Sequence, residues 1–292
     1  MTPRGWGSER ARHGLSGSGW ALLAGAALLV TCPFVPPGSA GGEGNALRLY
    51  AAGSLRGALT EVAHAFTAAS GIPVQLEFGA SGLLRERLER GEPGDVFASA
   101  NMEHPTMLSK QGKAGPVVLF ARNELCALTH DGLSVTPATL LDVMLDPGIK
   151  LATSTPKADP SGDYAWEVFR KADDVRPGSR QRLEQKALLL TGGPNSVQPP
   201  PGTSVYTHTI QRRLADVFLT YCTNARAAVD TMRGGSVIAL PAALSVGADY
   251  GLTALSGAQA DKALKLVLFI LSPEGQQILA RHGFSAPTRL SP

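Results

Sequence analysis

The sequence predicts an α/β protein with a parallel sheet, built as two lobes around a cleft. Three observations carry this. Short apolar runs alternate with amphipathic ones from Ala46 onward, the order that gives strands covered by helices. The run "VVLFARNELCALTH" is long enough to pass from one lobe to another, and "SVIALPAALSVGADYGLTAL" brings the chain back. Two crossings leave the opening strands and the final helices in one lobe and the middle of the chain in the other.

The elements follow in order. Residues 1–40 hold Arg4, Arg10 and Arg12, an apolar stretch from Trp20 to Val30, and small residues at Gly38-Ser39-Ala40. These features read as a secretory signal peptide, since the apolar stretch is too short to span a membrane and prolines follow it. Cys32 in "LVTC" points weakly to lipid attachment, because Thr31 occupies a position where a smaller residue is expected. "LRLYAAG" is a strand, Ser54 to Ser70 a helix with Leu55, Ala58, Leu59, Val62 and Phe66 at helical spacing, "IPVQLEFGAS" a strand, "GLLRERLERG" a helix ending at Gly91 and "GDVFASA" a buried strand. This order predicts a parallel sheet whose loops bind ligands at the strand C-terminal ends.

The middle reads as helix "TPATLLDVML", strand "IKLATST", helix "DYAWEVFRKAD", a second helix from Arg180 to Leu190, the loop "TGGPNSVQPPPGT", helix "SVYTHTIQRRL", strand "ADVFLTYC" and helix "NARAAVDTM". Two helices, "AQADKALKLVLFILS" and "PEGQQILARHG", close the chain. The predicted boundaries are 41–124 with 245–292 for the first lobe and 125–244 for the second.

Charge and cysteines narrow the function. The net charge of +3 falls to near +1 once the first 40 residues, with three Arg and one Glu, are set aside. Nucleic-acid binding by bulk charge therefore has no basis. Cys126 and Cys222 read equally as a disulfide of an exported protein and as two small buried apolar residues.

Three helix starts carry a hydroxyl beside small residues: Gly53-Ser54, Gly79-Ala80-Ser81-Gly82 and Asp159-Pro160-Ser161-Gly162. Such junctions offer N–H groups and the positive end of a helix dipole to an anion, although a serine there is also an ordinary N-cap. Spread over two facing lobes, they outline a pocket of neutral donors. No H-E-x-x-H spacing occurs, and Leu83 stands where a G-x-S-x-G elbow needs glycine, so catalysis has little to build on.

The motifs "YAAGSL", "FGASGLL", "GEPGDVFASAN" and "SPEGQQILARHGF" resemble those of the periplasmic molybdate-binding proteins of ABC uptake systems. The resemblance implies the type II periplasmic-binding-protein fold, with two α/β lobes joined by a two-crossing hinge. It also implies a monomer that holds molybdate or tungstate without a further cofactor and hands it to a permease and its ATPase, in the periplasm or secreted. By motif, Ser54 and Ser81 match the family's two serines. Ser161 falls where the family supplies a backbone N–H, and Tyr221 in "TYCTNA" where it supplies a tyrosine. Thr203 or Ser204 takes the remaining helix-start position. Asp159 matches an acidic position of archaeal relatives whose second acidic position is Thr220 here, so a lone carboxylate is expected to stay out of the metal's shell. A receptor for sulfate, phosphate or an organic acid, a secreted enzyme and a sensor module on the same fold are the competing readings.

Overall fold

The computed structural model describes residues 46–287 apart from Asn195 and Ala258. The expected signal peptide and Cys32 lie outside the described residues. Strand β1 (Leu47–Ala52) leads through a 3-10 turn (Gly53–Leu55) into α1 (Arg56–Ser70), followed by β2 (Val74–Gly79), α2 (Ser81–Glu89), β3 (Val96–Ser99) and α3 (Glu103–Lys110). Strand β1 pairs in parallel with both β2 and β3, as the β-α-β-α-β order requires. Leu47, Leu49, Ala51, Leu55, Leu59, Val62 and Phe66 pack into one core with Val96 and Ala98.

The long strand β4 (Val118–Thr129) changes partners midway. Val118 to Glu124 pair with β9 (Gly247–Ala254), whereas Leu125 to Thr129 pair with β7 (Val217–Tyr221), and Cys126 to Thr129 also with β8 (Ser236–Ala239). Between these come α4 (Leu140–Leu145), β5 (Leu151–Ser154), α5 (Pro160–Val175), α6 (Ser179–Lys186), β6 (Leu188–Thr191), α7 (Val205–Gln211) and α8 (Cys222–Thr231). Helices α9 (Ala260–Leu271) and α10 (Pro273–Arg281) return to pack on the first strands' side. The sheet order is β2-β1-β3-β9-β4-β7-β5-β6. Antiparallel β4 and β9 sit between two groups of parallel strands, so the sheet is mixed.

One local reading changes, one helix is added and one alternative is resolved. The helix expected to reach Leu190 stops at Lys186, and Leu188 to Thr191 form edge strand β6 beside β5; the apolar run Leu188-Leu189-Leu190 satisfies its backbone in the sheet. Helix α3 was not legible, because "EHPTMLSK" has a proline and little apolar periodicity. The cysteine alternative resolves as a disulfide between Cys126 and Cys222. No described helix is long and apolar enough to cross a membrane.

Candidate functional site

Register explains how the first two serines meet. Ala52 of β1 lies opposite Gly79 of β2, so the chain leaves the sheet at one edge in both places, and Ser54 and Ser81 each follow two residues later. Neither serine is a helix cap. Helix α1 starts at Arg56 with Leu55 as N-cap, and α2 has Ala80 as N-cap; neither makes a side-chain capping bond. The Ser54 hydroxyl instead shares a 2.9 Å hydrogen bond with the Tyr250 hydroxyl. Buried Ser81 accepts from the Ala100 N–H at 3.1 Å through Oγ.

Both serines line a cavity of about 720 Å³. The opposite wall holds Asp159, Thr203, Ser204, Tyr206, Tyr221 and Asn224. Five helix beginnings border this space: residues 53–57 before and within α1, Ala80-Ser81 at α2, Asp159 at α5, Ser204 to Tyr206 at α7 and Tyr221 to Asn224 at α8. Each brings the positive end of a helix to the cavity, while the Ser161 N–H at α5, the Gly82 N–H at α2 and the Tyr206 N–H at α7 are already bonded within the protein.

The walls touch directly. Gly82 N–H donates to the Ala158 carbonyl at 3.0 Å, and a Cβ on Gly82 would lie 2.4 Å from the Lys157 carbonyl oxygen. The Tyr221 hydroxyl donates to the Ala100 carbonyl at 3.4 Å. Buried Asn123, at the partner change of β4, donates from Nδ2 to Thr223 Oγ1 at 2.8 Å and to the Tyr250 hydroxyl at 3.3 Å. Ser54, Tyr250, Asn123 and Thr223 thus form a continuous polar chain from one wall to the other. Burial pushes the Tyr221 and Tyr250 hydroxyls above their ordinary range, which keeps both protonated.

Asp159 does two things. Its Oδ1 accepts the Ser161 N–H at 3.0 Å and caps α5. Its side chain also faces the loop after β6, where Gly192 has φ +77° and a Cβ would fall 2.4 Å from Asp159 Cβ. A glycine is required there for both reasons. Burial raises the Asp159 carboxyl to about 6 against the lowering pull of the Ser161 N–H.

Six of the expected residues thus line one cavity, namely Ser54, Ser81, Asp159, Thr203, Ser204 and Tyr221. Ser161 stands apart: it is fully buried, its N–H is taken by Asp159 and its hydroxyl has no partner among the described residues. Thr220 is buried and accepts from Asn224 Nδ2 at 3.2 Å. Sequence reasoning passed over Tyr250, Asn123, Thr223, Tyr206, Arg56 and His282. Tyr206 lies in "SVYTHTIQRRL" and Asn224 in "TYCTNA", and Asn224 donates to the Tyr206 hydroxyl at 3.0 Å; nothing local marks Tyr250. Arg56 lies over the Phe78 ring at 4.5 Å, and His282 Nε2 contacts Glu61 Oε2 at 2.9 Å. Among the described residues no group of three His, Cys, Asp or Glu forms a metal site.

A family model for bacterial extracellular solute-binding proteins matches residues 47–285. The chain is 35% identical over 243 residues to an uncharacterized protein of Pasteurella multocida, covering 82% of this chain and 98% of that one. It is 26% identical over 242 residues to the molybdate-binding protein ModA of Mycobacterium tuberculosis, covering 82% and 84%. Among solved structures, the periplasmic molybdate-binding protein of Azotobacter vinelandii superposes with a TM-score of 0.67 at 22% identity, over 83% of this chain and 100% of that one. The sulfate-binding protein SubI of Mycobacterium tuberculosis gives 0.68 at 19%, over 83% and 87%. The structural likeness establishes the fold, that of the type II periplasmic binding proteins. The resemblance read from the motifs therefore holds in sequence and in fold.

Proposed function

We propose that this chain, which belongs to the bacterial extracellular solute-binding protein family, captures a tetrahedral oxyanion, molybdate or tungstate first, and delivers it to an ABC permease and its ATPase. The family is one of binding proteins, not of catalysts. The observation that carries the oxyanion reading is the convergence of five helix beginnings and the Ser54, Ser81 and Tyr221 hydroxyls on one cavity. A dianion taken out of water needs each oxygen hydrogen-bonded, and bonds to a charged acceptor are the strong kind. Neutral donors supply such bonds, and Arg56 on the same lining adds a positive charge. The 26% identical relative named for molybdate binding supports that ligand.

In this reading residues 41–124 with 245–292 act as one lobe and 125–244 as the other, hinged near Arg122 to Thr129 and Ala239 to Thr253. The partner change between Glu124 and Leu125 is consistent with that boundary. The protein works as an exported monomer after loss of residues 1–40. A second reading, capture of sulfate or an organic acid, draws on the cavity's size and on the sulfate-binding neighbour.

Titration calorimetry with molybdate, tungstate, sulfate and phosphate tests both. Molybdate at a thousand times its Kd should add about 4 kcal/mol of stability by mass action. Binding of sulfate or an organic acid with no response to molybdate or tungstate would replace the first reading with the second.

A further inference from the structure

We infer that Asp159 takes up a proton when the cavity receives its anion, so that capture is linked to pH through this one carboxyl. The inference rests on the oxyanion reading and adds its regulation. Among the described residues Asp159 is the one carboxylate lining a cavity walled by hydroxyls, amides and helix beginnings, and Arg56 and His282 share that lining. It has no ion pair among the described residues. One of its oxygens is committed to the Ser161 N–H at 3.0 Å.

Among the described residues no cation pairs with it, and none is among the charges that shift it. On its own helix the nearby charge is Asp163, of the same sign, whose Oδ1 accepts the Lys157 N–H at 2.8 Å. From α7, β7 and β9 the groups that feel it are Tyr206, Tyr221 and Tyr250, all held neutral by burial first and by the Asp159 charge in addition. From β5 comes Ser154, a buried hydroxyl that draws the carboxyl down, as the Ser161 N–H does, without outweighing burial. The loop at Gly192 and Gly193 contributes no charge.

Two costs decide the outcome. With the carboxyl already raised to about 6, protonating it at pH 7 costs about tenfold in affinity. Leaving it ionised a few ångströms from a dianion at the edge of the protein interior costs about a hundredfold or more. The proton therefore enters from solvent with the anion, and the neutral carboxyl no longer repels the ligand.

The test is calorimetry of sodium molybdate into the purified protein in two buffers of different ionisation enthalpy, which counts protons. Uptake should approach one proton at pH 7 and fall toward a quarter at pH 5.5, with affinity dropping about fivefold to tenfold from pH 7 to pH 8. Asp159→Asn, which keeps a good N-cap, should abolish the uptake and hold affinity within about twofold across that range. His282→Gln, the control for the histidine on the cavity's lining, should leave the uptake in place. Binding without proton uptake, or uptake that survives Asp159→Asn and disappears in His282→Gln, overturns the inference and leaves the oxyanion reading standing. If neither molybdate nor sulfate gives any heat of binding, the oxyanion reading falls, and the inference with it.

Discussion

The two walls of the cavity are built by different means. On the first, Ser54 and Ser81 sit at neighbouring strand ends of one parallel trio, and the Ala52–Gly79 register alone brings them side by side. On the second, Asp159, Ser204 and Tyr221 come from three separate helix beginnings spread over 62 residues of sequence, joined by a long loop. That wall is held by other links: the Cys126–Cys222 disulfide ties the crossing strand to the residue after Tyr221, and Gly192 fits the loop against Asp159. A site can thus be positioned by sheet register on one side and by a covalent link on the other. The first kind of wall depends on the core, the second on a few specific contacts.

The largest effect that would break the comparison is removal of that link. Cys126→Ser with Cys222→Ser opens a loop of 96 residues, and loss of a native disulfide costs about 2–5 kcal/mol, more for longer loops. Chemical denaturation should register a loss of about 4 kcal/mol. If stability falls by less than about 1 kcal/mol, the second wall is held by packing as the first is. Cys126 and Cys222 share a buried cluster with Leu128, Phe218 and Ala225, so a serine pair also tests whether that packing suffices alone.

The walls also titrate in opposite senses. His104, on α3 behind the first wall, is buried with neither ring nitrogen bonded, and burial followed by the charge of Arg85 lowers it to about 4. Its neutral form is the one the fold accepts, so its contribution is present above the unfolded value of about 6.5 and is lost as pH falls toward about 4. Asp159 is raised instead, so its contribution is present below about 3.8 and is lost as pH rises through about 6. Without ligand the two partly cancel between pH 4 and 6.5. Asp159→Asn should therefore steepen the gain in Tm from pH 4 to pH 6, by about 2–3 kcal/mol of stability, and His104→Gln should flatten it by a similar amount. Parallel Tm profiles for wild type and both variants would show that neither group feels its surroundings as described.

Affinity sharpens the contrast next. Ser54→Ala and Ser81→Ala each remove a hydroxyl that does not serve as a helix cap, and loss of a hydrogen bond to a charged ligand costs about 1.5–3 kcal/mol, roughly tenfold to a hundredfold. Calorimetry with molybdate should show this while far-UV circular dichroism stays unchanged. Tyr250→Phe is the companion variant: it removes the partner of Ser54 and should weaken binding by less, since the serine hydroxyl remains. Equal affinity in all three would mean that the first wall supplies shape and no donors.

The same contrast governs what the sequence disclosed. The first wall was legible because strand, small residues and helix follow one another within about ten residues, and sheet geometry then fixes where two such turns lie. The exits at Gly53 and Ala80 needed only the alternation of apolar runs to be read. The second wall was legible only as isolated motifs. Ser161 carried the expected donor, yet Asp159 two residues earlier occupies that N–H, an interaction set by the local cap and invisible to motif matching. Tyr250 could not be found because its relevance arises from β9 running antiparallel beside β4 and β3, a pairing between strands more than a hundred residues apart. Leu188 to Leu190 were read as helix because a three-residue apolar run has no period to distinguish the two states.

The smallest expected effect bears on the second wall itself. Ser204 lines the cavity, but its Oγ turns back to accept the Tyr206 N–H at 3.3 Å and caps the seven-residue helix α7. A hydroxyl used in this way has a lone pair committed to its own helix, so its removal acts first on stability. Ser204→Ala should cost about 1 kcal/mol, and Ser204→Gly only a few tenths, because glycine tolerates the cap conformation. Both should leave molybdate affinity within about twofold, against the tenfold or greater loss expected for Ser54→Ala. The glycine variant separates the two roles, since it lacks the hydroxyl while nearly preserving the helix start. A tenfold loss of affinity in both Ser204 variants would make this residue a ligand donor equal to Ser54, and the division between a donor wall and a braced wall would no longer describe the site.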